Sequence, residues 1–397
     1  MPLPIQSIKH PRDKHSFQFL GQVTAVMIQS RISVHEGHTS TTDLSEAVSD
    51  LRQQIDGSDT SLVLFFASPS YDTERLGQQM AESFCCQIVG CTTPGALGSG
   101  GFLWGGISAV ALGGALTAHS FCMDLADCDA EAARIGEEVS NILKASPGRS
   151  AFGLLLVDGL SLTEEKVAAA LYQHSRPLPI IGGSAGDDLT FQETFVYSEG
   201  QMRSGIATFT LVTTDVEVTT FKFEHFVPTE RIAVITDSSP KDRIIKEING
   251  EPAVEAYARL VGVAPGSLND RIFSMNPFVL ELDGEQYIRS IAKLNPDGSL
   301  TLFCAIEDGV VLSVGRSVDP GQAAREAFDR VRESVGEPSL VIGCDCILRR
   351  LEFDNTGLLE EIGHIMAENH VVGFSTYGEQ YNAIHVNQTF TGIALGT

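Results

Sequence analysis

Residues 370–379 read HVVGFSTYGE. His370, Val371 and Val372 lead into Gly373, and Ser375, Thr376, Tyr377, Gly378 and Glu379 follow as a crowd of small and polar groups. That is a strand running into a tight turn. Two other stretches have the same shape, QIVGCTTPG at 87–95 and PIIGGSAGD at 179–187. Upstream of each lies a continuous apolar run bounded by turn residues: SLVLFFAS (61–68), AFGLLLVDG (151–159) and SLVIGCDC (339–346). Such runs suit strands buried on both faces. Phe65 precedes Gly90 by 25 residues and Val157 precedes Gly182 by 25; in the third copy the separation is about 30.

Between run and turn each copy carries helical periodicity. Leu76, Met80 and Phe84 are spaced by four; Val167 and Leu171 follow Ser161 and Glu164, which fit a capping box; Leu358, Ile362, Ile365 and Met366 serve the third. The unit is strand, helix, strand, glycine-rich turn. A parallel pair with a right-handed crossover is the expected result. Ligands in such sheets sit beyond the carboxyl ends of the strands, where the three turns lie. Thr92, Thr93, Ser184, Asp187, Ser375 and Glu379 are therefore candidate pocket groups. The other reading is that the turns are only duplicated connections.

Residues 222–315 break the pattern. Asn249-Gly250 and the Asp-Gly pairs at 283, 297 and 308 separate β-rich runs, as in an antiparallel meander, and a helix follows Pro252. The fold expected is α/β, with two domains, repeated strand–helix–strand units and mixed sheets extended by antiparallel hairpins, helices outside. Residues 1–20 form an N-terminal segment. Residues 21–224 form a first domain with two units, and 225–397 a second with the meander and the third unit.

The formal net charge of −24 sets the surface against phosphate backbones, so no nucleic-acid partner is expected. No window approaches the roughly 18 to 20 apolar residues of a membrane span, and the first residues lack a signal-peptide core. A cytoplasmic location with eight free thiols follows as the expectation. Cys91, beside two threonines at a strand end, is the one nucleophile-like position. No GxSxG elbow and no assignable base accompany it, so binding is expected rather than catalysis.

VGCTTPG, GGSAGDDLTF, EINGEPAVEAY and GFSTYGEQYNAIHVNQTF together resemble the FIST proteins, in which a FIST N domain precedes a FIST C domain. The resemblance spans about residues 20–397. Pro94-Gly95-Ala96 departs from the Ala-Gly-Glu of many members and removes a carboxylate from the first turn. FIST domains are sensory modules for small ligands. YNAIHVNQTFTG and EHFVPT are most similar to the NosP branch, haem proteins that sense nitric oxide and act through a histidine kinase or a cyclic-di-GMP enzyme. The resemblance thus implies haem b. Of the ten histidines, His10, His15, His119, His174 and His364 read as solvated or structural, and His35 and His38 as solvated in a polar loop before a helix, with metal binding as the alternative. His385, between Ile384 and Val386, and His225, among Phe221, Phe223 and Phe226, are the candidate iron ligands. Tyr377 and Asn387 would be distal polar groups, and Arg289 or Arg316 would meet propionates. The competing ligand is an amino acid or other metabolite, its ammonium and carboxylate held by the turns with Asp188 and Asn387. A homodimer is compatible with such a module, although no heptad marks one.

Overall fold

The computed structural model describes residues 31–397. His10, His15, the segment 1–20 and the first ten residues of the expected first domain lie outside the described residues. The first unit runs β1 (Ile32–Thr39), α1 (Leu44–Ile55), β2 (Thr60–Ala67), α2 (Thr73–Ser83), β3 (Gln87–Thr92), β4 (Ala96–Gly98), β5 (Gly101–Leu103) and β6 (Ile107–Gly114). The second repeats that order as β7 (Leu116–Asp124), α3 (Cys128–Ala145), β8 (Ser150–Val157), α4 (Glu164–Ser175), β9 (Ile180–Ser184), β10 (Val196–Ser198), β11 (Gln201–Arg203) and β12 (Ile206–Thr214). The third opens with β13 (Val218–Phe223) and is then interrupted. The interruption comprises β14 (Phe226–Ser239), β15 (Ile244–Ile248), β16 (Glu251–Pro252), α5 (Ala253–Val261), α6 (Asp270–Met275), β17 (Phe278–Leu282), β18 (Glu285–Arg289), β19 (Ile291–Leu294), β20 (Leu300–Leu302) and β21 (Val311–Ser317). The third unit resumes with α7 (Pro320–Val335), β22 (Leu340–Cys346), α8 (Ile347–Thr356), α9 (Leu359–Glu368), β23 (Val371–Thr376), β24 (Glu379–Tyr381), β25 (Ile384–Val386) and β26 (Phe390–Leu395).

The glycines mark one register in all three parallel pairs. Gly90 lies opposite Phe65, Gly182 opposite Leu155, and Gly373 opposite Gly343. The third crossover is longer because it holds two helices, α8 and α9. Each pair is flanked by an antiparallel return strand, giving β1-β6-β2-β3, β7-β12-β8-β9 and β13-β26-β22-β23. The hairpin that follows each glycine turn then leaves its own sheet. β4–β5 joins the third sheet beside β23, β10–β11 joins the first beside β3, and β24–β25 joins the second beside β9. The exchange is cyclic, so the three turns are the crossing points between sheets.

Alternation within the apolar runs explains the layers. Leu62, Leu64 and Phe66 meet Leu154, Leu156, Ile342 and Phe374 in a core shared by the three sheets. Phe66 and Phe374 stack across two units at 4.4 Å between ring centroids. The intervening Val63 and Phe65 face outward onto α1 and α2, and Leu155 and Val157 onto α3 and α4. Both faces are buried, so the run reads as continuous; each fully buried Leu or Phe contributes about 1.5–3 kcal/mol. The fold is α/β, with mixed sheets inside and helices outside.

The insert, Phe226–Ser317, has its own core around Ile235, Ile248, Tyr257, Phe278 and Val314. Its turns follow their residues: Asn249-Gly250 and Asp283-Gly284 have both φ values positive, as a type I′ hairpin requires. The meander interrupts the third unit, whose first strand, β13, precedes it in the chain. Two local expectations are corrected. His35 and His38 belong to β1, not to a loop. Ser161 and Glu164 form no capping box: α4 has no side-chain cap, and the Glu164 carboxylate is drawn instead to Arg243 of the insert. Among the described residues no helix is long and apolar enough to cross a membrane.

Candidate functional site

The three glycine turns meet at the centre, and there they bond one another. Gly186 N–H donates to the Thr92 carbonyl at 3.0 Å, Ser375 N–H to the Gly95 carbonyl at 2.7 Å, and Ser184 N–H to the Gly378 carbonyl at 2.8 Å. The side chains are occupied likewise. Thr92 Oγ1 accepts from Phe195 N–H at 3.0 Å. Thr93 Oγ1 donates to main-chain carbonyls at Gly95 and Ser375. Ser184 Oγ accepts from Gln380 Nε2, and Ser375 Oγ from Arg350. Glu379 is fully buried and accepts from the Thr376 hydroxyl and from Thr389 N–H, and burial pushes its pKa well up. The turns therefore join the units.

Asp187 organises the loop that follows the second turn. Its carboxylate accepts from the N–H groups of Thr190, Phe191 and Gln192, and from the Thr190 and Tyr377 hydroxyls. Burial works to raise its pKa, but these bonds outweigh it and hold the group at about 2. Asp188 is exposed. Cys91 is fully buried; burial pushes its thiol well up, away from the reactive thiolate.

The two singled-out histidines have different surroundings. His225 is buried beside Phe226 and Phe353, with Nε2 2.9 Å from Glu352 Oε2 and Nδ1 3.0 Å from Arg349 Nη1. Arg349 in turn holds Asp345 at 2.6 Å. Both ring nitrogens of His225 are thus spent. His385 is buried, its Nδ1 3.2 Å from Gln380 Nε2, while Nε2 has no partner. Burial, with Arg243 and Arg289 nearby, lowers its pKa to about 4 against the pull of Glu165. Its ring edge rests on the main chain of Gly378: a Cβ there would lie 2.7 Å from Nε2. Arg289 donates to the His385 carbonyl at 3.0 Å, and Arg316 is exposed. His385 Nε2 is thus the unpartnered ring nitrogen of the two, and neither histidine borders the hollow beneath the insert.

An apolar hollow lies elsewhere. A cavity of about 260 Å³ opens between the insert and the ends of the second and third units. Leu189, Phe191, Phe303, Ile347, Leu348 and Leu351 supply its apolar wall. Tyr377, Asn387 and Gln388 come from the third unit, and Ser274 and Ser290 from the insert. Tyr377 stacks on Phe191 at 4.8 Å and bonds Asp187 through its hydroxyl. Of the sequence candidates, only Tyr377 and Asn387 reach this cavity. A second hollow between α6 and α8 adjoins it, sharing Asp270, Ser274, Leu348 and Leu351. Sequence reasoning missed the apolar wall and the latch beside it. In that latch Arg243 binds Glu164 at 2.6 Å and Glu165 at 2.8 Å, and Glu165 accepts from Ala305 N–H.

The comparisons agree with the family pattern. Residues 61–251 match the FIST N domain, and residues 253–382 match the FIST C domain. The chain joins a FIST N domain to a FIST C domain. FIST domains are sensory domains, which associates this FIST protein with signalling. The two matches meet inside the insert. No curated protein matches the chain. Among solved structures it is similar to a chorismatase, at 8% identity and TM-score 0.36 over 92% of this chain and 98% of that one. It is also similar to a cyanuric acid hydrolase, at 10% identity and TM-score 0.33 over 92% of this chain and 99% of that one. Likeness that slight says nothing of what the FIST protein does.

Proposed function

We propose that this FIST protein is a sensor without catalytic activity, which holds a small molecule in the cavity beneath the insert and passes its occupancy to a signalling partner. The observation that carries this is the composition of the wall, drawn from the insert on one side and the two units on the other. A ligand there touches both bodies, so it favours the arrangement in which both close on it. The partner, of histidine-kinase or cyclic-di-GMP-enzyme type in the cytoplasm, would read the insert's position. Hydrogen exchange tests the reading. A ligand that saturates the protein should slow exchange in residues 270–305 and 187–191 together. Protection confined to another region would overturn it.

A second reading is a haem b sensor of nitric oxide, supported by the NosP-like ending and by the partnerless Nε2 of His385. It requires the Gly378 main chain to leave the ring. The absorption spectrum decides: an intense Soret band that shifts on reduction and with nitric oxide, and is lost in His385→Ala, would favour it. A colourless protein that takes up no added haem would remove it.

A further inference from the structure

Most hydrogen-bonding groups on the cavity wall are already engaged. Tyr377 bonds Asp187, Ser290 Oγ donates to Gln388 Oε1, Gln388 Nε2 donates to the Ser274 carbonyl, and Ser274 Oγ donates to the Arg271 carbonyl. Cys346 is a buried thiol whose pKa burial pushes well up. Asp270 is exposed at the rim. Asn387 differs. It is about 1% exposed, it forms part of the wall, and neither Oδ1 nor Nδ2 has a partner in the protein.

A buried carboxamide with both atoms unpaired is costly. Asn387 has an NH₂ donor beside a carbonyl acceptor. The group that satisfies both at once is another amide edge, with its own acceptor beside its own donor. Around it the wall is hydrocarbon and aromatic, from Phe191, Phe303, Leu189, Ile347, Leu348 and Leu351. Such a wall favours a compact apolar body. No side chain of the wall away from the rim carries an unpaired charge among the described residues. A carboxylate, ammonium or phosphate entering it would lose water without gaining a counter-charge.

We propose that the cavity binds a small uncharged ligand with an apolar, flat body and one amide-like edge, a carboxamide, lactam or nucleobase edge, which pairs with Asn387 once its carboxamide turns from its sealed position beside Gly378 into the cavity. The inference rests on the cavity being the sensory site, as proposed above, and adds the ligand's chemistry. The size of the cavity suits a ligand near the lower limit of ordinary binding sites, about 300 Å³.

The test uses the full chain, with benzamide and uracil as probes and benzoate and benzylamine as charged controls of similar shape. Calorimetry and thermal unfolding report binding. We expect at least one neutral probe to bind and raise the unfolding temperature, while the charged controls do so at least tenfold more weakly. Benzamide alone binding points to a carboxamide ligand, and uracil alone to a cyclic one. Asn387→Leu should fold as well as or better than the parent and weaken probe binding about tenfold or more. Ala292→Phe, at another position on the wall, should fill the same cavity and abolish binding while leaving Asn387 in place. Equal binding of benzoate, or undiminished binding by Asn387→Leu, overturns the inference. So does saturation by haem or by a zwitterionic amino acid when neither amide binds; that result leaves the sensor reading standing. Binding of none of these overturns the proposed ligand class and removes support from the cavity as the sensory site.

Discussion

Arg243 Nη2 lies 2.6 Å from Glu164 Oε2, joining the insert to the start of the second unit's crossover helix. The same guanidinium reaches Glu165 at 2.8 Å and, through Nη1, the carbonyl of Phe303 at 2.8 Å. Phe303 walls the cavity, so one buried ion cluster fixes both the seat of the insert and one side of the pocket. Burial raises Glu164 to about 7 against Arg243's attraction, whereas Glu165 is lowered because its partners outweigh its burial. The desolvation cost on Glu164 means that the pair serves position more than stability.

Arg243→Met should leave Glu164 buried beside no cation. The expected loss is about 3–5 kcal/mol in urea unfolding, with faster hydrogen exchange at residues 303–305. Arg243→Met combined with Glu164→Leu should recover part of the loss, because the buried Glu164 carboxyl is gone while part-buried Glu165 keeps the Ala305 N–H but loses Arg243. An additive double variant would show that the two groups do not act as a pair.

The three register glycines are required by close approach. A Cβ on Gly373 would stand 1.8 Å from the Gly343 carbonyl oxygen, on Gly182 2.1 Å from that of Leu155, and on Gly90 2.5 Å from that of Phe65. In the first two the nearest obstacle is main chain, which moves only if the parallel pair separates. Each alanine variant should cost about 1–3 kcal/mol or more. Gly373→Ala should be the worst and Gly90→Ala the mildest. Denaturant midpoints give the order, and a reversed order would mean that the strands yield more easily than the side chains.

How far the sequence revealed this depends on the kind of signal. Gly90, Gly182 and Gly373 follow apolar runs at nearly constant distance, so repeat, parallel pairing and buried strands were all legible. Asn249-Gly250 and Asp283-Gly284 announced their hairpins because the turn type demands those residues. The cyclic exchange of hairpins left no trace, since β4–β5 pairs with β23 through main-chain bonds that do not depend on residue type. The candidate site was legible in part. Tyr377 and Asn387 reach the cavity, but its apolar wall uses residue types that also fill cores, such as Leu348 and Ile347. Arg243 and Glu164 are far apart in sequence, and nothing local marks either as the other's partner.

Asp187 holds two residues in the left-handed region, Leu189 at φ 63° and Phe191 at φ 51°, and both line the cavity. Such backbone costs about 1–3 kcal/mol per residue and persists only where its surroundings hold it. Asp187→Asn should therefore destabilise the protein by about 2 kcal/mol at neutral pH and loosen ligand binding as well. The folded-state pKa, about 2, lies below the ordinary 3.8. The stabilisation is present above the ordinary value and is lost as pH falls from about 4 towards 2. The gap between parent and variant should close over that range, and a gap constant with pH would locate the effect in shape alone.

His385 has its pKa lowered from 6.5 to about 4, so the fold favours the neutral ring. Stability from this group is present above the unfolded value of 6.5 and is lost as pH falls through about 4, roughly 3 kcal/mol in all. Glu164 acts in the opposite sense. Its pKa is raised from 4.5 to about 7, so its contribution is full below 4.5 and is lost as pH rises towards 7. The two slopes oppose each other between pH 4.5 and 6.5, and the parent should show only a shallow dependence there. His385→Gln, which keeps a polar group but no titration, removes one slope. Relative to the parent, the variant should gain roughly 3 kcal/mol as pH falls from 7 to below 4. Parallel curves for the two proteins would mean that water reaches His385 and that the ring is not sealed against Gly378.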